Sequence, residues 1–316
     1  VSLAKQNKLS AHTLVEIQLK MASQLRLDAS YREALTVSSN CQETLISLYD
    51  KDHPSIAESK LLLGNIYKDL GRYKLSERYL RESLTIHQNL YGENHPYTAA
   101  ASNNLAVLLK ILGFIKKAEP LFISAAEITE HTLGPRHPAT AVCYNNLADI
   151  ATFKGHYNEA ARLYKKARVF LQAALGNNHP DLALFINNYS DLLRLQRKTD
   201  LAWSFANKAH EIRQKNFSAN HPVIADSLNS RANILAIQGL YNDAEQMYKK
   251  SLKIREKILG PNHPKISASL INLASLYRQQ GKSELIEGLL LRSLKIDKKN
   301  LGENHPEVAN DLNNLG

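Results

Sequence analysis

The sequence predicts an all-α solenoid of antiparallel helical hairpins, and three observations carry that prediction. First, the dipeptide His-Pro occurs at His53-Pro54, His95-Pro96, His137-Pro138, His179-Pro180, His221-Pro222, His263-Pro264 and His305-Pro306, each pair 42 residues after the last. Self-similarity at a fixed period of this size marks a repeat architecture, in which each unit buries its apolar face only against its neighbours. Second, each period holds two runs of apolar and small residues at helical spacing, separated by glycine. Third, apolar residues make up 44% of the chain, enough for a continuous core and too many for disorder.

Within residues 53–94, Pro54 suits the first turn of a helix, where its missing N–H costs nothing. His53, held extended by the proline after it, marks the entry to that helix. The first helix carries Ala57, Leu63, Gly64 and Tyr67 on one face and ends at Gly71. The second carries Tyr73, Ser76, Leu80 and Ser83, runs through Ile86 to Leu90, and stops at Gly92. Later copies keep the plan: Gly71 becomes Gly113, Gly155, Gly239 and Gly281, and Gly92 becomes Gly134, Gly176, Gly260 and Gly302, with Ser218 the exception. Small residues recur at Gly64, Ala106, Ala148, Ser190, Ala232 and Ala274, where two helices must approach closely. Residues 1–50 follow the same register without His-Pro and read as a degenerate first hairpin. Residues 51–316 read as six repeats and the start of a seventh, in one continuous solenoid.

The pattern HPxxAxxxNNLA, at His95 to Ala106 and His137 to Ala148, together with GxYxEAxxLYxKA, at Gly155 to Ala167, resembles the tetratricopeptide repeat (TPR). The usual TPR is 34 residues long. The 42-residue form resembles the repeats of kinesin light chains and nephrocystin-3, and the likeness runs along essentially the whole chain. It implies a right-handed superhelix whose first helices line a concave groove.

By that register, the position two before the conserved leucine faces the groove. It holds Leu61, Asn103, Asn145, Asn187, Asn229, Ile271 and Asn313. An asparagine offers donors and an acceptor, so a ladder of them suits the backbone of an extended peptide. A second ladder lies beside it at Asn104, Asn146, Asn188, Asn272 and Asn314. One ladder is expected to satisfy backbone groups between repeats and the other to face a ligand. Further along the helix stand Lys68, Lys110, Arg194 and Arg278, with Thr152 and Ala236 between them. Cations beside asparagines suit an acidic or carboxylate-bearing peptide, although each alone also complements a helix C-terminus. The candidate groove residues are therefore Asn103, Asn145, Asn187, Asn229, Lys110, Arg194 and Arg278. Kinesin light chain domains recognise short peptides with an aromatic among acidic residues, and the resemblance implies the same class here.

The fourth repeat departs from the pattern. Arg197, Lys198 and Thr199 replace Gly-x-Tyr, and Ala206 stands where an aromatic is usual. Such a departure marks either function or strain, or, as the plainer reading, a local repacking in which Trp203, the single tryptophan, fills the space Ala206 vacates.

The net charge of +10 is spread along the repeats. It reads as solvated helix faces, or as a basic surface favouring an acidic partner. Cys41 and Cys143 form no framework, read as small core residues, and point to a reducing compartment. Neither a membrane span nor a signal peptide is expected. A chain that begins at Val1 and stops inside a repeat reads as a fragment of a longer protein.

Several chemistries are excluded. Metal–nitrogen bonds are about 2 Å long, whereas equivalent positions of stacked hairpins lie roughly 10 Å apart, so the repeated histidines cannot share an ion and instead lock the loops. Gly281-Lys282-Ser283 lacks the glycine and the strand of a P-loop. No nucleophile, base and orienter fall at one site, no cofactor is implied, and the uniform asparagines lack the varied pairs an RNA code needs. The expectation is a non-enzymatic, cytoplasmic interaction scaffold of the cargo or adaptor kind, associated with a motor, the cytoskeleton or a cilium. The alternatives are a sensor or autoinhibitory array of a larger NTPase-containing protein, or a structural subunit of a cytoskeletal or ciliary assembly.

Overall fold

The structure, a computed structural model, describes residues 2–315, with side chains from His12 onward. Among the described residues there are fifteen α-helices and no strand, the all-α architecture expected. The chain forms two compact units, Val1–Thr132 and Leu133–Gly316.

The first unit holds α1 (Ser2–Leu27), α2 (Tyr31–Leu48), α3 (Pro54–Asp69), α4 (Tyr73–Tyr91), α5 (Pro96–Ile111) and most of α6 (Ile115–Leu133). In it α1 packs on α2, α3 on α4, and α2 and α4 on the first helix of the following hairpin. The second holds α7 (Pro138–Phe153), α8 (Tyr157–Leu175), α9 (Pro180–Leu195), α10 (Thr199–Asn216), α11 (Pro222–Ile237), α12 (Tyr241–Leu259), α13 (Pro264–Gln279), α14 (Ile286–Leu301) and α15 (Pro306–Leu315), with a 3-10 turn at Ser283–Leu285. There the first helices α7, α9, α11 and α13 touch in succession, and each second helix also packs on the next first helix.

The His-Pro pairs act as helix caps. In every copy the histidine Nδ1 accepts a hydrogen bond from the backbone N–H two residues on, from Ser55 (3.2 Å) in the first to Glu307 (3.2 Å) in the last. The cap satisfies one of the donors a helix start leaves unpaired. The acceptor role requires the Nε2–H tautomer. Where the preceding second helix ends in an aromatic residue, the ring stacks on the capping histidine. Ring centroids are 3.8 Å apart for Tyr49–His53, and 4.5 Å for both Tyr91–His95 and Phe217–His221.

The turn inside each hairpin needs a residue with positive φ. Gly71, Gly113, Gly155, Gly239 and Gly281 supply it, with φ between 71° and 78°. In the two hairpins without glycine at that register, Ala29 and Arg197 are forced to 61° and 63°. The residue after the turn closes the helix end by bonding back to its last turn, as Arg72 N does to Tyr67 O (2.8 Å) and Lys198 N to Leu193 O (2.9 Å).

Small residues allow the hairpins to close. A Cβ on Gly64 would come within 2.7 Å of the Leu80 side chain. Ser76 Oγ donates to Gly64 O at 2.8 Å, and Ser190 Oγ to Ala202 O at 2.6 Å, so the hydroxyls at these contacts are satisfied. In the fourth repeat Ala206 is buried with Leu193, Ala202 and Ile234, and both Trp203 and Phe205 pack against that cluster. Phe205 meets Tyr189 edge-on at 5.2 Å. The missing aromatic is thus replaced by two neighbours in sequence. Cys41 and Cys143 are buried, and burial pushes the Cys41 thiol up to about 11.

Candidate functional site

In the second unit the asparagine ladders lie where α7, α9 and α11 meet the next first helix, and Asn103 holds the same register on α5 of the first unit. Asn103, Asn145 and Asn187 are only 9%, 2% and 6% exposed, and Asn229 is half-buried. In the second unit the two ladders bond to each other. Asn188 Nδ2 donates to Asn145 Oδ1 (3.4 Å), Asn187 Nδ2 to Ser230 Oγ (3.0 Å), and Asn272 Nδ2 to Asn229 Oδ1 (3.0 Å). Each pair is 43 residues apart, one repeat plus one position. The structure therefore joins the ladders in repeat-to-repeat contacts, where the sequence assigned them separate structural and ligand-facing roles.

Four residues beyond the ladder, on the same helix face, stand Asp149 and Asp191. Asp149 Oδ1 accepts from Asn188 Nδ2 (3.2 Å) and from Tyr164 Oη (2.6 Å). Asp191 accepts from Asn187 (3.2 Å), Ser230 (3.4 Å) and Arg194 Nε (3.4 Å). Burial raises the Asp191 carboxyl above its ordinary value, outweighing Arg194, Ser230 and Arg213. The i,i+4 spacing from the asparagines is the signal that could have found both acids.

Behind them runs a buried ionic chain. Arg213 is 4% exposed, with Nη1 3.5 Å from Asn187 Oδ1. Arg255, 6% exposed, donates to Ser269 Oγ (2.6 Å) and Asp226 Oδ1 (2.8 Å), and Lys265 Nζ reaches Asp226 Oδ2 (3.0 Å). Burial pushes the Asp226 carboxyl up, but Lys265, Arg255 and Arg213 outweigh it and hold it well below the usual carboxylate range. Taking the two arginines out of water carries a desolvation cost that their polar partners offset.

The predicted cations occupy different settings. Lys110 is half-buried near the end of α5 and makes a contact within the chain. Arg194 is half-buried against Asp191. Arg278 is exposed, with Nη2 donating to Asn314 O (2.8 Å). Among the candidate residues, Arg194 borders a cavity. This is a polar cleft of about 220 Å³ across α9, α11 and α13, lined also by Asn233, Asn272, Ser275 and Gln279. At its base Tyr248 Oη donates to Asn233 Oδ1 (2.5 Å). The cleft offers amide, hydroxyl and guanidinium groups to an extended polar ligand.

The family model for the tetratricopeptide repeat matches residues 13–86, 55–113, 97–172 and 223–299. The chain belongs to the tetratricopeptide-repeat family. Comparison with curated protein sequences gives no match. Among solved structures it is similar to the Rap conjugation gene regulator of the plasmid pLS20 in complex with the Phr* peptide. That match has a TM-score of 0.70 and 17% identity, over 94% of this chain and 79% of that one. It is also similar to aspartyl phosphate phosphatase F from Bacillus subtilis, with a TM-score of 0.61 and 14% identity, over 95% of this chain and 74% of that one. A putative kinesin light chain repeat protein of Podosopora anserina matches with a TM-score of 0.49 and 20% identity, over 65% of this chain and 97% of that one. At these identities the likeness is one of fold. As a TPR array, the chain has the architecture of a protein-interaction scaffold. No helix among the described residues is long and apolar enough to cross a membrane.

Proposed function

We propose that the chain binds an extended, acidic peptide or partner segment along the face of its first helices, as an adaptor that acts without catalysis. The observation that carries this reading is the cleft across α9, α11 and α13, where Arg194 stands beside Asn233, Asn272 and Gln279. Peptide backbone would take hydrogen bonds from the amides, and a peptide carboxylate would meet Arg194 and the exposed Arg278. Asn145, Asn187 and Asn229 contribute by holding successive first helices in register, which spaces the exposed groups, and Asn103 holds the equivalent place on α5 of the first unit. In the first unit, half-buried Lys110 on α5 is the candidate cation for the same ligand class. The net charge of +10 favours acidic partners over basic ones. The Rap regulator of pLS20, bound to its Phr* peptide, supports peptide capture as a use of this fold. Cargo or adaptor recognition in the cytoplasm, by a motor or cytoskeletal complex, is the role the resemblance to kinesin light chains favours.

The test is an array of extended acidic peptides, with and without an aromatic residue, probed with wild type and with Arg194→Gln/Arg278→Glu. Helicity is verified by circular dichroism. Binding that drops at least about 10-fold in the variant and weakens as salt rises supports the reading. Equal binding by a folded variant overturns it.

A further inference from the structure

On the second-helix side of the second unit lies a larger cavity, about 600 Å³, that the groove reading does not use. Its size falls in the range of ligand-binding clefts, about 300–1,000 Å³. The walls are Trp203 from α10, Leu228, Arg231 and Leu235 from α11, and Met247 and Lys250 from α12.

One of these residues breaks the repeat in a way packing does not explain, and a second cation shares the wall with it. Arg231 stands at the register of Leu63, Leu105, Leu147, Tyr189 and Leu273, a core position in every other complete repeat. Its guanidinium lies 5.0 Å from the Trp203 ring centroid, and its Nε is buried without a hydrogen-bond partner. A desolvated cation with an unused donor costs free energy that leucine would not. Lys250 is exposed at the register of Lys166, whose ammonium sits 3.8 Å from the Tyr144 ring centroid and 5.5 Å from that of Phe170. The residues equivalent to those rings are Leu228 and Ile254, so the second cation has no aromatic seat. At the cavity edge His210 shares a hydrogen bond with Ser227 (2.7 Å). Burial, then Arg231, Arg213 and Lys250, push that ring down to about 4, so it stays neutral in a positive field. Asp243 is the single carboxylate on the wall, leaving two cations to one acid beside an apolar floor.

We infer that this cavity is a second binding site, which takes an acidic segment of a partner protein, its carboxylate on Arg231 and Lys250 and an adjacent apolar side chain against Trp203 and Met247. Charge complementarity selects the acid, and the apolar wall selects its neighbour. The site is independent of the first-helix face and stands whether or not that face binds peptide.

The experiment uses the capped tetrapeptide acetyl-Leu-Asp-Asp-Leu-amide, its Asn-Asn counterpart and inorganic phosphate. Binding is read by calorimetry and by the indole N–H resonance of Trp203. The chain has one tryptophan, so a shift of that signal places the ligand here and not in the groove. The acidic peptide is expected to bind saturably and to move the indole signal. Affinity should fall at least 10-fold for the Asn-Asn peptide and for Arg231→Leu, which installs the residue other repeats carry. Lys250→Ala, at an exposed position, should weaken binding without touching the core. The inference is overturned if both peptides bind equally, if the two variants bind as wild type, or if nothing binds. It is also overturned if binding leaves the Trp203 signal unmoved, or if phosphate alone binds as tightly as the acidic peptide, which would mark a simple anion site.

Discussion

Asn272 of α13 donates a 3.0 Å hydrogen bond to Asn229 of α11, one repeat and one position back along the chain. Both side chains are half-buried, so the bond replaces water only in part, and a net worth of about 1 kcal/mol is expected. In a double-mutant cycle of Asn229→Ala and Asn272→Ala, the coupling should be about 1 kcal/mol. Hydrogen exchange of α11 and α13 is the suitable readout, since a repeat array can open locally. Strict additivity of the two substitutions would show that the pair does not hold the repeats together.

Arg197 occupies a left-handed turn, φ 63°, at the register where other repeats place glycine. A side chain there costs about 1–2 kcal/mol that glycine does not pay, and glycine returns part of this as unfolded-state entropy. Arg197→Gly should therefore stabilise the α9–α10 hairpin by roughly 1 kcal/mol, and Ala29→Gly should do the same for α1–α2. Thermal unfolding and local exchange rates check it. A loss of stability in Arg197→Gly would mean that the arginine side chain, not the turn, matters.

The fold was legible because its determinants repeat at one period: the His-Pro cap, the turn glycine, and the small and large partners Gly64 and Leu80. Where glycine is absent, at Ala29 and Arg197, the turn geometry persists, since the packed helices on either side impose it. The site was less legible. Aligning the chain at 42 residues displays ladders, but the bonds join positions 43 apart, so Asn145 and Asn188 appear as members of separate columns. Arg213 from one repeat and Arg255 from the next converge on Asp226 from different helices, a convergence no single column displays. Arg231 did leave a mark, as a cation in a column of leucines and one tyrosine, and attention to exceptions within the core register would have found it.

His53 caps α3 through an unprotonated Nδ1, 3.2 Å from Ser55 N. Its pKa is lowered from 6.5, first by burial and then by His12, with Asp50 opposing. A histidine held neutral by folding contributes its full stabilisation above the unfolded value and loses it as pH falls from 6.5 through the lowered folded value. Protonation would also remove the acceptor that makes the cap. Stability of the first unit should therefore decline below pH 6.5 in wild type. His53→Asn keeps a capping oxygen and should flatten that decline, whereas His53→Ala should cost about 1 kcal/mol at neutral pH. An unchanged acid limb in His53→Asn would assign the titration elsewhere.

At the other end of the chain, α14 and α15 bury two carboxylates together. Ser267 Oγ donates to Asp297 Oδ2 (2.5 Å), and Ser293 Oγ to Asp311 Oδ1 (3.2 Å). Asp297 and Asp311 are 4% and 0% exposed. Burial raises Asp297 from 3.8 to about 7, and Asp311 adds to the rise against the Ser267 hydrogen bond. Asp311 is raised too, again by burial first. Like charges this close cannot both ionise cheaply, so the pair holds a proton that the unfolded chain releases. The stabilisation from that proton is fully present below pH 3.8 and is lost as pH rises through about 7. Hydrogen exchange of α14 should accordingly speed up progressively as pH rises from 3.8 to about 7, beyond its intrinsic chemical dependence, and level off above that. Asp297→Asn keeps an acceptor for Ser267 and removes the repulsion. It should slow exchange at pH 8 and abolish the pH dependence, while Asp297→Ala would leave the serine hydroxyls without their acceptor and should not.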